Sequence, residues 1–179
     1  MNGLDLTFEG AKIVFRNFAG VGNQFNREGA RNFSIVIPSV DAALALYDAG
    51  WNVGVKAQKQ EDKDAIRATN DLKERIQILS DRGVLDDALF HLKTTVNFNS
   101  KRPAEIFLIT EVGKKPVKLD ENTVAQLDLA DIVSCDIIVS PYAWTSPRGS
   151  GITAYLKTMY VLIQQDPFAA KYAYDEEIN

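Results

Sequence analysis

Cations and aromatic rings recur side by side along this 179-residue chain, and that pairing is the chemistry its sequence offers. Arg16 precedes Phe18, Phe25 stands with Arg27 and Arg31, His91 is followed by Lys93, and Lys101 adjoins Arg102. Tyr142, Trp144, Arg148, Tyr155 and Lys157 then crowd a single later stretch. A surface carrying both groups suits single-stranded nucleic acid, because cations follow phosphates while rings stack on bases at about 1–3 kcal/mol each, without reading sequence. The candidate phosphate contacts are Arg16, Arg27, Arg31, Lys93, Lys101, Arg102, Arg148 and Lys157; the candidate stacking groups are Phe25, Tyr142, Trp144 and Tyr155. Phe15, Phe33, Phe90 and Phe98 read as core, and Trp51, just after a helix stop, reads as core in preference to a stacking platform.

Catalytic chemistry finds little support. His91 is the only histidine and reads as a surface or site-lining group; there is no serine elbow, metal-ligand spacing or phosphate loop. Gly20-Val21-Gly22 opens onto QFNREGAR and another strand pattern instead of a helix, so it is not a dinucleotide fingerprint. No enzyme activity, metal or cofactor is therefore expected. The net charge of −4 and pI near 5.1 argue against a generally basic coat yet leave room for a local basic groove. Cys135, the one cysteine, has no internal disulfide partner, no apolar run approaches the roughly 20 residues of a membrane span, and no signal-peptide layout opens the chain. These features point to the cytoplasm. With 46% hydrophobic and 25% charged residues, the composition fits one globular domain, expected over residues 1–165, followed by a short acidic tail at 166–179.

The stretch Asp136–Ile163 must position the richest cluster. Two β-rich runs, 136–144 and 152–163, flank the turn-forming segment 145–151, which predicts a long β-hairpin with Arg148 at its tip. Alternation places Ile138, Tyr142 and Trp144 on one face of its first strand and Tyr155, Lys157, Met159 and Val161 on one face of its second. Ile137, Val139, Leu156 and Leu162 would seal the core. Upstream, after a polar lead, strands are expected at 12–18, 32–37, 51–56, 89–98 and 105–111, with a polar loop at 24–31 and a short helix at 42–49 capped by Ser39 or Asp41 and stopped by Gly50. Charged, helix-favouring residues at about 60–83 predict one inserted helix, with Ile66, Thr69, Leu72, Ile76 and Leu79 in its stripe, inside an insertion spanning about 58–87. Its surface pairs would be Arg67 with Asp71 and Asp71 with Arg75. A basic loop at 113–116 and a helix at about 121–132, capped by Asp120, complete the series. The order predicts an all-β class with helical insertions: a small β-barrel, with the OB-fold as its obvious member.

The segments FRNFAGVGNQFNREGARNFSIVIP, GWNV, LDENTVAQLDLADI and DIIVSPYAWTSPRGSGITAYLKTMYV together resemble the single-stranded DNA-binding proteins of tailed bacteriophages. That resemblance implies an OB-fold that coats single-stranded DNA with little sequence preference during phage replication or recombination. It also implies that the acidic C-terminal tail contacts replication or recombination proteins. An alternative reading is a protein-interaction module whose inserted helix and aromatic hairpin dock a phage or host replication or defence factor.

Overall fold

A single strand, Leu89–Val96, organises the sheet of the computed structural model, which describes residues 4–110 and 115–164. In chain order the strands are β1 (Leu6–Ala11), β2 (Ile13–Asn17), β3 (Arg31–Ile37), β4 (Val53–Lys56), β5 (Leu89–Val96), β6 (Glu105–Ile109), β7 (Val117–Leu119), β8 (Ile132–Ser146) and β9 (Gly149–Ile163). The helices are α1 (Val40–Asp48), α2 (Gln60–Ile66) and α3 (Leu72–Asp81). One edge of β5 takes β3 antiparallel along its length; the other is shared by β4, antiparallel, and β9, parallel at Thr94–Ala154 and Thr95–Tyr155. Strict alternation buries Phe90, Leu92, Thr94 and Val96 and leaves His91, Lys93 and Thr95 on the other face, as the sequence pattern requires.

The principal path runs β1-β8-β9-β5-β3-β2, with β6 and β7 added alongside β9. Among the described residues no ladder joins β1 to β2, so, of the closed or partly closed barrel expected, the sheet is not closed by hydrogen bonds. The core lies under one face and includes Phe33, Ile35, Leu92, Ile106, Ile137, Val139, Met159 and Val161, with Phe18 stacked on Phe33 at 5.2 Å. Trp51 is buried as expected.

Several expectations are corrected. The inserted helix is two helices: Asp71 leaves helical geometry and caps α3 by accepting from Lys73 N at 2.9 Å, while Asp71 N donates to Thr69 Oγ1. Arg67 therefore pairs with Asp64 instead of Asp71, and Arg75 donates to the carbonyl of Thr69. A part-buried ion pair, Arg82 Nε to the buried Asp62 Oδ1 at 2.7 Å, ties α2 to the end of α3. The helix expected at 121–132 shrinks to a 3-10 segment, Val124–Asp128, because Ile132 already belongs to β8. Val124 and Leu127 still face inward. The polar lead is in fact β1, whose pairing with β8 is interrupted between Phe8 and Ala11 beside Gly10 at φ 58°. β7 was likewise not foreseen. The tail at 166–179 lies outside the described residues, as do Gly113 and Lys114 of the basic loop.

Candidate nucleic-acid interface

The hairpin expected near the end of the chain is longer than its sequence signal, pairing from Ile132–Ile163 out to Ser146–Gly149 around the two-residue turn Pro147-Arg148. Its root is core and its far end is exposed from Tyr142 onward on β8. The register slips between Ile138, opposite Thr158, and Val139, opposite Leu156, so Lys157 is an extra, bulged residue. Alternation consequently reverses there. Leu156 and Met159 both point inward, and the expected grouping of Lys157 with Met159 and Val161 on one face is overturned.

The bulge swings Lys157 toward a groove of about 820 Å³ that also takes in Lys101, Arg102, Tyr142 and Tyr155. Five of the twelve candidate residues thus meet in one place. Tyr142, 57% exposed, meets Tyr155 edge-on at 5.3 Å and 66°. Two carboxylates, Asp5 and Glu105, also line this groove. Asp5 Oδ2 accepts from Lys157 Nζ at 2.8 Å, and that hydrogen bond, against the opposing effect of burial, holds the Asp5 carboxyl below the usual range.

A second groove, about 550 Å³, is lined by Arg16, Phe25 and Lys93 from the candidate set, with Phe15, Ser34 and His91. Phe25 is 85% exposed yet sits on an ordered loop. Asp128 accepts from the backbone N–H groups of Phe18 and Ala19, and Asn26 Nδ2 donates to the carbonyls of Val21 and Ala30 at 2.9 Å each. Arg16 is committed elsewhere: its Nη1 donates to the carbonyls of Leu127 and Ala130, pinning the 3-10 segment to β2. Arg31 Nη1 donates to the Phe18 carbonyl, with the guanidinium 5.6 Å above the Phe98 ring. Arg27 is exposed on the loop, while Trp144 and Arg148 stand beyond both grooves on the hairpin. The Trp144 ring lies against Gly151; a Cβ added there would sit 2.8 Å from Cζ2.

A continuous transverse row joins the two grooves. Asn17 pairs with Asn32, Asn32 with Thr95, Thr95 with Tyr155 and Tyr155 with Ser140, so β2, β3, β5, β9 and β8 present one polar face. His91 belongs to this face; its Nδ1 lies 3.1 Å from Ser34 Oγ, and burial followed by the charge of Lys56 lowers its pKa. Sequence reasoning missed Phe15, expected in the core but 44% exposed at φ 52°, edge-on to His91 at 5.1 Å with Lys56 Nζ 4.7 Å from its ring centroid. Strand alternation assigns it inward, and nothing in the sequence marks a left-handed phenylalanine. Cys135, by contrast, is inert core, its thiol pushed up to about 12 by burial.

A family model described as "Putative phage ssDNA-binding domain" matches residues 2–74 and 73–179. The chain belongs to that family. No curated protein sequence matches this phage ssDNA-binding domain protein. Among solved structures it is similar to the single-stranded DNA-binding protein from bacteriophage Enc34, C-terminal truncation, at 10% identity and TM-score 0.46, covering 92% of this chain and 88% of that one. The same Enc34 protein in complex with ssDNA gives 9% identity and TM-score 0.44, covering 92% and 89%. The gp2.5 single-stranded DNA binding protein encoded by bacteriophage T7 gives 12% and 0.43, covering 92% and 94%. Among the described residues of the family member, no helix is long and apolar enough to cross a membrane.

Proposed function

We propose that this family member is a non-catalytic protein that coats single-stranded DNA with little sequence preference during phage replication or recombination. The observation that carries the reading is the unbroken face from Asn17 to Ser140, which links an aromatic and cationic groove at each end. Rings at Phe25, Tyr142 and Tyr155 offer stacking surfaces indifferent to base identity, and Lys93, Lys101, Arg102 and Lys157 offer exposed charge in the same two grooves; Arg27 on its loop and Trp144 and Arg148 farther out on the hairpin would extend the contact. Arg16 and Arg31 act mainly through the backbone carbonyls they hold: Arg16 fixes the 3-10 segment against β2, and Arg31 holds the Phe18 carbonyl where the loop bearing Phe25 begins.

An OB-fold is the architecture we assign to residues 1–165. Two features support it: β1 and β2 are consecutive, separated only by Lys12, yet flank opposite ends of the strand path, and β5 pairs β9 in parallel within an otherwise antiparallel circuit. A single bent segment would then bridge the gap. The α2–α3 pair is an insertion within this domain, and the tail at 166–179 serves replication or recombination partners, so its deletion should leave DNA affinity intact while abolishing partner capture.

Titration with oligo-dT, read through tryptophan emission, tests the function. Trp144 is 38% exposed and Trp51 only 6%, so quenching would report Trp144 over a nearly constant background. If Lys93, Lys101, Arg102 and Lys157 each meet a phosphate, log Kobs should fall with log[salt] at a slope of about −3, from about −0.7 per single-strand contact. Absence of binding at low salt, or binding without salt dependence, would refute the proposal.

A further inference from the structure

We propose that Phe15 is a nucleobase-stacking residue that, with Phe25, Lys56 and Lys93, builds a second single-stranded DNA subsite apart from the hairpin groove. The inference rests on the single-stranded DNA reading and extends its footprint. Phe15 is the only non-glycine residue at positive φ among those described, at 52°, a conformation that L side chains other than asparagine and aspartate seldom adopt. Core filling does not explain the strain, because the ring is 44% exposed. The irregular register between Val14 and Asn17 accompanies this geometry, and the ring reaches across β3 to His91 on β5.

The surroundings are suited to one nucleotide unit. The ring meets the His91 edge at 81°, which fixes its plane, and the Lys56 ammonium sits 4.7 Å from its centroid. Phe25, on the loop before β3, lines the same groove of about 550 Å³, a volume within the range of small-ligand sites. Lys93 supplies a further exposed cation there. Gly54 makes the arrangement feasible: a Cβ at that position would stand 2.8 Å from His91 Cε1 and Nε2 and displace the imidazole that supports Phe15.

Binding of graded oligo-dT lengths by the unmodified full chain, Phe15→Gly, Phe15→Asn and Phe15→Tyr tests the assignment, with thermal unfolding measured in parallel. Glycine and asparagine accept the left-handed backbone, so both variants should fold with an unchanged or higher Tm. Both should lose at least fivefold in affinity for oligonucleotides long enough to span the face, with little change for the shortest ones that bind. Phe15→Tyr should retain tight binding. Equal affinity of Phe15→Gly and the unmodified chain at every length would overturn the assignment, as would an affinity loss that merely tracks a falling Tm. If the unmodified chain binds no oligonucleotide, the parent reading fails along with this one.

Discussion

Replacing Gly151 by alanine should weaken single-stranded DNA binding without unfolding the protein, and the size of the effect follows from the hairpin geometry. The added Cβ would lie 2.8 Å from Trp144 Cζ2, 3.0 Å from Cε2 and 3.2 Å from Nε1. Ordinary carbon contacts need about 3.5–4.0 Å, so the indole must retreat by roughly 1 Å or change rotamer. Gly151 has no left-handed φ, so alanine meets no backbone penalty. The ring lies on the exposed far end of the hairpin, outside the core, and stability should change by no more than about 0.5 kcal/mol, as for surface sites. If the indole stacks on a base at about 1–3 kcal/mol, its complete loss in Trp144→Ala raises Kd by roughly 5- to 150-fold. Gly151→Ala should give a substantial part of that rise. Because Trp144 emission is itself perturbed, fluorescence anisotropy of a labelled oligo-dT is the suitable assay. The double variant should bind as Trp144→Ala alone does, since Gly151 acts only by seating the ring. Unchanged affinity in Gly151→Ala, or additive losses in the double variant, would refute the reasoning.

Asp5→Asn should tighten oligo-dT binding several-fold at low salt, with convergence at high salt, because the carboxylate 2.8 Å from Lys157 Nζ competes with phosphate. The pair is largely solvated, so unfolding free energy should change by less than about 1 kcal/mol; unchanged or weaker binding would remove Asp5 from this role. Arg82→Ala strands the buried Asp62 carboxylate and should destabilise the α2–α3 pair by about 3 kcal/mol, the low end for such pairs since Arg82 is 40% exposed, as read by urea unfolding. His91 has a folded pKa below its ordinary 6.5, so the unfolded chain binds the proton more readily. Its contribution to stability is full above about pH 6.5 and is lost as pH falls through the lowered value. Urea midpoints between pH 7.5 and 5 should drop in the native chain and drop less in His91→Gln.

Periodicity carried β5 completely, since a half-buried strand writes its two faces into alternate residues: Phe90, Leu92, Thr94 and Val96 are buried and Lys93 is exposed. The α1 cap at Ser39 and the stop at Gly50 were legible for the same local reason. Local signals failed where one residue changed phase. Asp71 broke a helical stripe by preferring to cap, and the bulged Lys157 inverted the face of every residue after it. β1 was hidden because it draws its stability from a ladder with β8, a partner far away in sequence, and β7 because its three residues, Val117–Leu119, are too few to show an alternation.

The sequence by itself determined the chemical inventory, a predominance of β structure, the hairpin of Tyr142, Trp144, Tyr155 and Lys157, and the membership of a phage ssDNA-binding family. Only the tertiary structure decided which of those groups share a surface. It brought Lys101 and Arg102 to Tyr142, Tyr155 and Lys157, turned Arg16 and Arg31 toward backbone carbonyls, and lifted Phe15 out of the core. The physical reason is that side-chain type is local, whereas exposure and neighbourhood depend on register across strands distant in sequence, and a single bulge or left-handed residue resets that register.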